Sequence, residues 1–558
     1  MSTIPPTNCP SNCASNYTSN RASNCPTNYT SNRKRIKLWH RLGLIAALFL
    51  LSRPALAVDL KLPDGHATLR VGISQTTIAE YHADFDKFTG DEPDKFFDVK
   101  NRTNLVLMHG TTTFNLRFDG YWVGGAQDGS SHRSATTLEK ISLSSIQRSF
   151  DLTAGDFYIR IGRGIALDLT KVDELARDMT LRGARVQVRV GPVEVMGFGG
   201  WVNPLDVDDA IEEPRRLPSD IVAGGELKAR VARVAILSLH YVGSRLEDRD
   251  GGDGTANHVL GVTTNLPNLA GKVGVYGEFN YLSRVQNGQI SKGMAAYVSS
   301  TGNFGPLALL AEFKFYRRFL LRNDFGRQPG MSSRYEAAPF IYNRPPTLSH
   351  TSQEIINNSH IYGPRLRLDL RLNKVELHAS YGYFSRTEEA IPIHDAFGGI
   401  YISQKRWKAE LSGGYRADTR TDPTSGQKLV DYSKIYVAGK VNVQVYRGHS
   451  MELQGEFRKL EKTGHGWTDI FLNVSYRPSP YFAGGVTYEH SSEFSADDTD
   501  QIRGRTDFGG VTATINFTGT SYFRFMGGST RGGLRCVDGF CREFPPFIGA
   551  KGELVLQF

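Results

Sequence analysis

The chain has 558 residues, 58 of them glycine and 24 tyrosine. Its mean hydropathy is mildly negative, which excludes a bundle of transmembrane helices but not a barrel whose strands are apolar on one side only. The formal charge of +9 is no nucleic-acid footprint, because Arg21, Arg33, Lys34, Arg35, Lys37, Arg41 and Arg53 all precede residue 58 with no acid among them, leaving about +2 for the rest.

Residues 7–34 repeat every four positions as TNCP, SNCA, SNYT, SNRA, SNCP, TNYT and SNRK. Such a low-complexity tract has nothing to pack. Residues 1–32 read as a repeat extension, either a real tail or translated sequence upstream of the true start. Residues 33–57 read as a secretory signal: a basic segment at 33–41, about ten apolar residues at 42–51, and Ala55-Leu56-Ala57 as the small-residue cleavage site. The apolar run is too short to span a bilayer. The mature chain is expected to be residues 58–558, starting at Val58.

From there on, apolar and polar residues alternate with a period of two. Phe157, Ile159 and Ile161 oppose Tyr158 and Arg160; Val186, Val188 and Val190 oppose Arg185, Gln187 and Arg189. The clearest case is Arg365-Leu366-Arg367-Leu368-Asp369-Leu370-Arg371-Leu372, with Asn373-Lys374 as a turn before Val375, Leu377, Ala379 and Tyr381 alternate with Glu376, His378 and Ser380. Trp407 to Arg416, Met451 to Arg458, Ile470 to Arg477 and Val511 to Thr518 follow suit. A soluble sandwich also alternates. Long strands, aromatics at strand ends (Tyr415, Tyr476, Tyr481, Phe482, Tyr488) and ions on successive polar faces favour a membrane barrel with a wet lumen. The predicted fold is all-β, a large transmembrane antiparallel barrel of about 22 strands in the range of roughly 18–24, with short periplasmic turns and longer extracellular loops. A mature length of about 501 residues then gives about 23 residues per strand plus connection, which fits. Candidate long loops are 205–220, 247–254 and 320–360, the last rich in aromatics and prolines at 338–346.

The chain ends on Leu554, Val555, Leu556, Gln557 and Phe558, an alternating strand that resembles the C-terminal signal read by the barrel-assembly machinery, with Leu554, Leu556 and Phe558 as its marks. Gly162-Arg163-Gly164-Ile165-Ala166-Leu167 followed by Val172-Asp173-Glu174-Leu175, then Thr180 to Arg185, Asn343 to Leu348, and Arg531 to Cys536 through Cys541 to Phe547, together resemble a family of bacterial outer-membrane β-barrel proteins whose shared domain has no assigned function. The resemblance covers most of the mature chain. It implies a porin-like barrel and brings no substrate or catalytic residue.

Cys9, Cys13 and Cys25 lie in the leader, so Cys536 and Cys541 are the mature chain's pair. In an exported protein they suggest a disulfide across an Asp538-Gly539 turn. Free thiols and a metal pair are the alternatives, with no histidine near to complete a metal site. Asp248, Asp250 and Asp253 miss the spacing of a calcium loop, because Gly252 falls where a ligand belongs. Gly162-Arg163-Gly164 reads as a strand bend rather than a nucleotide loop. His378 and Ser380 share the two-residue spacing of barrel phospholipases but sit on the polar face. His490 and Glu489 stand at a rim without a distinctive partner. No catalytic residue, metal or cofactor is expected.

The functional expectation is a porin-like channel or transporter for small polar or anionic solutes, lined by Arg185, Arg189, Arg365, Arg367, Asp369, Arg371 and Glu376. These arginines either set selectivity or pair with Glu376, Glu410, Glu452 and Glu456 in a structural network. An anchor or binding surface that does not conduct is the alternative, and a barrel hydrolase a lesser one. In place of a plug domain, residues 151–178 offer an inserted segment in which Leu169, Val172, Leu175 and Ala176 hint at a short helix. The expected partners are outer-membrane lipid, lipopolysaccharide and the barrel-assembly machinery, with no nucleic acid; the sequence leaves oligomeric state open.

Overall fold

A computed structural model describes residues 58–61, 68–83, 96–124, 133–172, 177–205, 220–232, 234–246, 254–321, 360–386, 391–421, 428–446, 448–462, 464–493, 506–537, 540–544 and 547–557. Every regular element among them is a strand. Consecutive strands pair antiparallel, from Thr68–His82 with Phe96–His109 round to Asp507–Asn516 with Tyr522–Thr530. The last strand, Phe547–Gln557, then pairs on one side with Tyr522–Thr530 and on the other with Thr68–His82, which closes the sheet. The result is a 24-strand barrel, two strands more than the expected count and within its range. Val58–Lys61 runs beside Thr68–Val71, on the edge that the last strand follows further along.

Closure decides between membrane and soluble sheet. A sandwich covers its apolar stripe with a second sheet, whereas here the stripe stays outside. Leu366, Leu368 and Leu372 are exposed, as are Leu411, Leu453, Leu472 and Val511 on other strands. Arg365 and Arg416, on the opposite face of the same strands, are buried. Only lipid can cover so wide an apolar exterior. Tyrosines ring it at both strand ends and bond to neighbouring histidines: Tyr241 to His258 (2.7 Å) and Tyr381 to His394 (2.9 Å) towards one end, Tyr476 to His449 (2.7 Å) at the other. Amphipathic side chains of this kind suit a membrane–water interface. The chain is a bacterial outer-membrane β-barrel.

Connections at the barrel end nearer the chain termini are short, such as Asn373-Lys374 between Ile361–Leu372 and Val375–Arg386. Asn373 takes φ of 53°, a left-handed conformation that asparagine tolerates. At the opposite end most connections are longer, but Asn287-Gly288 and Thr463-Gly464 are two-residue links. The candidate loops at 206–219, 247–253 and 322–359, including Asp248, Asp250, Gly252 and Asp253, lie outside the described residues. So do Leu175, Ala176, Asn343 to Leu348 and Phe558.

One stretch departs from the barrel. After Phe150–Phe157 the chain does not turn into the next wall strand. It forms a small hairpin, Ile159–Ile161 against Leu167–Leu169, before Lys171–Val172 leads to the wall strand Arg177–Val190. The apolar alternation at 157–161 therefore belongs to an insert rather than to a lipid-facing strand. Among the described residues of this stretch there is no helix: Leu169 and Val172 are in extended segments.

A lumen hairpin as the candidate functional site

The hairpin carries the apolar core of the lumen. Ile159, Ile161, Ile165, Leu167 and Leu169 are all buried. They join one cluster with Met179, Leu181, Met196, Phe198, Val202, Val222, Val242, Val259 and Leu282, residues of the wall strands that follow the insert. Burying such side chains contributes roughly 1.5–3 kcal/mol each. These wall strands thus meet lipid outside and the insert inside, where Val222, Val242, Val259 and Leu282 share the inner face with buried polar residues such as Glu226, His240, Asn257 and Asn280.

The tip is made by Gly162 and Gly164, with φ of 57° and 90°, and closes with the Gly164 amide donating to the Ile161 carbonyl at 2.9 Å. A Cβ at Gly162 would lie 2.6 Å from the Glu278 carboxylate, so this close approach needs glycine as well as the turn does. The motif expected to be a strand bend is a reverse turn at the end of the insert.

Arg163 fixes that tip to the wall. Its backbone amide donates to Glu278 at 3.0 Å. Its guanidinium lies 4.3 Å from the Tyr276 ring centroid and 5.0 Å from that of Tyr297, and donates to the Tyr297 hydroxyl at 2.8 Å. Tyr297 donates to Glu312 at 2.5 Å, and Glu312 faces Arg365 at 2.9 Å. The Glu278 carboxylate also accepts from Tyr276 and Asn280. An anion and a cation held this way in a low-dielectric site are paired and hydrogen-bonded, as burial demands.

The base of the hairpin is tied by two aspartates. Asp178 accepts from Arg117 (2.7 Å), Lys140 (2.5 Å) and Tyr158 (2.8 Å). Asp156 accepts from Arg182, Asn203 and Thr180. Within the insert, buried Asp168 pairs with Arg160 and accepts from Thr170.

The sequence-selected charges mostly find partners. Arg365 faces Glu312; Arg367 pairs with Asp369 (2.8 Å), Arg371 with Glu376 (3.3 Å), and Arg189 with Asp151 and Glu194. Arg185 lies over the Phe157 ring. Of the four acids proposed for a network with the arginines, Glu376 has one of them, Arg371, as partner. Glu452 pairs with Lys440 and Glu456 with Arg458. Glu312, which ends the relay from the hairpin, was not picked out in the sequence; it sits on Leu307–Arg317 directly opposite Arg365 in the register.

The wall further along the chain differs. Near the short turns after Pro392–Ser403 and Lys428–Tyr446, a recess of about 450 Å³ is lined by Lys405, Arg406, Lys408, Lys440, Glu410 and Glu452 among others. Four cations there face two carboxylates.

His378 and Ser380 lie on one face. Ser380 is buried and its hydroxyl has no hydrogen-bond partner among the described residues, while the His378 ring packs near Phe397. His490 has a partner after all, Asp507 at 2.9 Å, which also accepts from Tyr488. Cys536 and Cys541 are direct cross-strand partners between Gly533–Val537 and Phe540–Phe544. With a two-residue link, theirs is the second pair from the turn, the non-hydrogen-bonded kind whose Cα separation of about 4.5 Å fits a disulfide. Intact-mass measurement is expected to show a gain of two hydrogens on reduction; equal masses would mean free thiols.

No family model and no curated protein matches the chain. Among solved structures, the siderophore receptor PirA from Pseudomonas aeruginosa is similar at a TM-score of 0.45 and 10% identity, over 88% of this chain and 80% of that one. The P pilus usher PapC translocation pore gives 0.41 and 9%, over 87% and 98%. OccK5 (OpdH) from Pseudomonas aeruginosa gives 0.35 and 11%, over 76% and 98%. The assignment as an outer-membrane barrel rests on the chain's own closed sheet and apolar exterior. Within that class, it is a barrel with a β-hairpin packed against part of its inner wall.

Proposed function

We propose that the protein is a gated channel for small polar or anionic solutes, with the hairpin as its constriction. The observation that carries this reading is the contrast between the two walls. One is covered by the hairpin and its apolar cluster; the other holds a recess in which Lys405, Arg406 and Lys408 are exposed. Fixed charges in a wet passage attract opposite ions and repel like ones. The ion-paired arginines contribute little net field, so anion preference is assigned to the recess. The cluster beneath the hairpin equally suits a filled barrel that serves as an anchor, and this is the second reading.

Conductance in planar bilayers separates them. Native protein should conduct with anion preference. Changing Lys405, Arg406 and Lys408 together to Gln should shift the reversal potential towards cations, and changing Arg365, Arg367 and Arg371 to Gln should shift it less. An unchanged reversal potential in the lysine-arginine variant would discard the recess. Absence of conductance from heat-modifiable, folded barrel would favour the anchor.

A further inference from the structure

The first two barrel strands and the closing strand meet at a buried cluster that the hairpin does not touch. Glu80 and His82 are two residues apart on Thr68–His82, so their side chains share a face. The register sets Asp98 of Phe96–His109 directly opposite Glu80. All three are buried, at 8%, 2% and 2% exposure. His82 Nε2 lies 3.3 Å from Glu80 Oε2 and 3.9 Å from Asp98 Oδ2. One nitrogen and two carboxylate oxygens lie within 4.8 Å of one another.

The 3.3 Å separation is that of neighbouring ligands around one ion, and Asp98 Oδ2 stands a few tenths of an ångström beyond it. Bonds of about 2.0–2.2 Å in a tetrahedral set place neighbouring ligand atoms about 3.3–3.6 Å apart. A second observation points the same way. Asp98 Oδ1 is buried with no hydrogen-bond partner among the described residues. A buried carboxylate oxygen left unmatched is costly, and a cation would relieve it. The other charges facing the cluster are Lys551, bonded to Glu80 Oε1 at 2.5 Å, and Lys100. Lys551 holds the Glu80 oxygen that does not face His82, so it orients that ligand from behind. The His82 ring packs edge-on against Phe547, at the start of the closing strand.

We propose that Glu80, His82 and Asp98 bind a divalent transition-metal ion, with zinc the best fit to one imidazole and two carboxylates. A water would complete four-coordination. The ion would join the first two strands beside the seam at which the barrel closes. The mixed set argues against calcium, which takes oxygen ligands in larger number.

The test uses the full-length barrel, free of any histidine tag, folded in detergent. After dialysis against zinc chloride and then metal-free buffer, elemental analysis should find one zinc per chain. Zinc titration followed calorimetrically should give a single site. Asp98→Asn keeps the shape and should weaken binding by at least about tenfold; His82→Ala should abolish it. Band shift on unboiled gels reports folding of each variant. If His82→Ala does not fold, Asp98→Asn and Glu80→Gln carry the test. Native barrel without stoichiometric zinc overturns the proposal, and so does zinc retained equally by every folded variant.

Discussion

Replacing residues 159–169 with a short Gly/Ser linker should raise single-channel conductance several-fold while leaving a closed barrel. The hairpin adds no strand to the wall: its own pairing is Ile159–Ile161 with Leu167–Leu169. The wall pairs independently of that small hairpin, with Phe150–Phe157 bonded directly to Arg177–Val190. Removing the insert therefore leaves the closed ladder intact and clears the lumen beside it. The cost falls on stability. Ile159, Ile161, Ile165, Leu167 and Leu169 lose their burial, at roughly 1.5–3 kcal/mol apiece, and the apolar wall beneath them becomes wet. The urea midpoint of the variant in lipid vesicles should drop accordingly. Arg163→Gln is the milder form. It breaks the Tyr276–Tyr297 clasp without removing the core, and should lengthen open events more than it changes their size. Unaltered conductance from a folded deletion variant would show that the hairpin is not the constriction.

The barrel was legible because the two faces of each strand meet different solvents. Leu366, Leu368 and Leu372 are exposed and Arg365 buried, as one period-two stripe in the sequence requires. An average of about 23 residues per strand is too long, because the links at 287–288 and 463–464 are as short as the turns at the other end. The sequence marks the insert but suggests the wrong form for it. Leu169, Val172 and Leu175 repeat every third residue, which mimics a helix, while the residues that govern its fold are the alternating Ile159-Ile161 and Ile165-Leu167-Leu169 on either side of two glycines. Glu376, the partner of Arg371 across a short turn, is among the acids the sequence points to, whereas Glu312 is not, since Arg365 meets it through a register that spans a long connection. Asp98 is hidden for the same reason: Glu80 and His82 share a face by their spacing, but Asp98 reaches them only through strand pairing.

Asp178→Ala should be the most damaging single substitution in the lumen, at about 3–5 kcal/mol, because it leaves buried cations without their counter-charge. The residue is 4% exposed and stands where the hairpin returns to the wall. Of its three donors, Arg117 retains a bidentate pair with Asp119, so its loss is partial. Lys140 is worse placed. It would keep the Tyr158 hydroxyl, at 2.8 Å, which neutralises nothing, and the through-space attraction of Asp156. The burden on Lys140 is what distinguishes this ion network from ordinary packing. In Asp178→Ala with Lys140→Met, the orphaned charge is gone and an apolar chain of similar length fills the space. The double variant should therefore regain a substantial part of the stability lost by Asp178→Ala alone. Urea unfolding in vesicles, read by band shift and tryptophan fluorescence, gives the three values needed with the native protein. Losses that merely add would mean that Asp178 acts through packing and that the base of the hairpin is not held by charge.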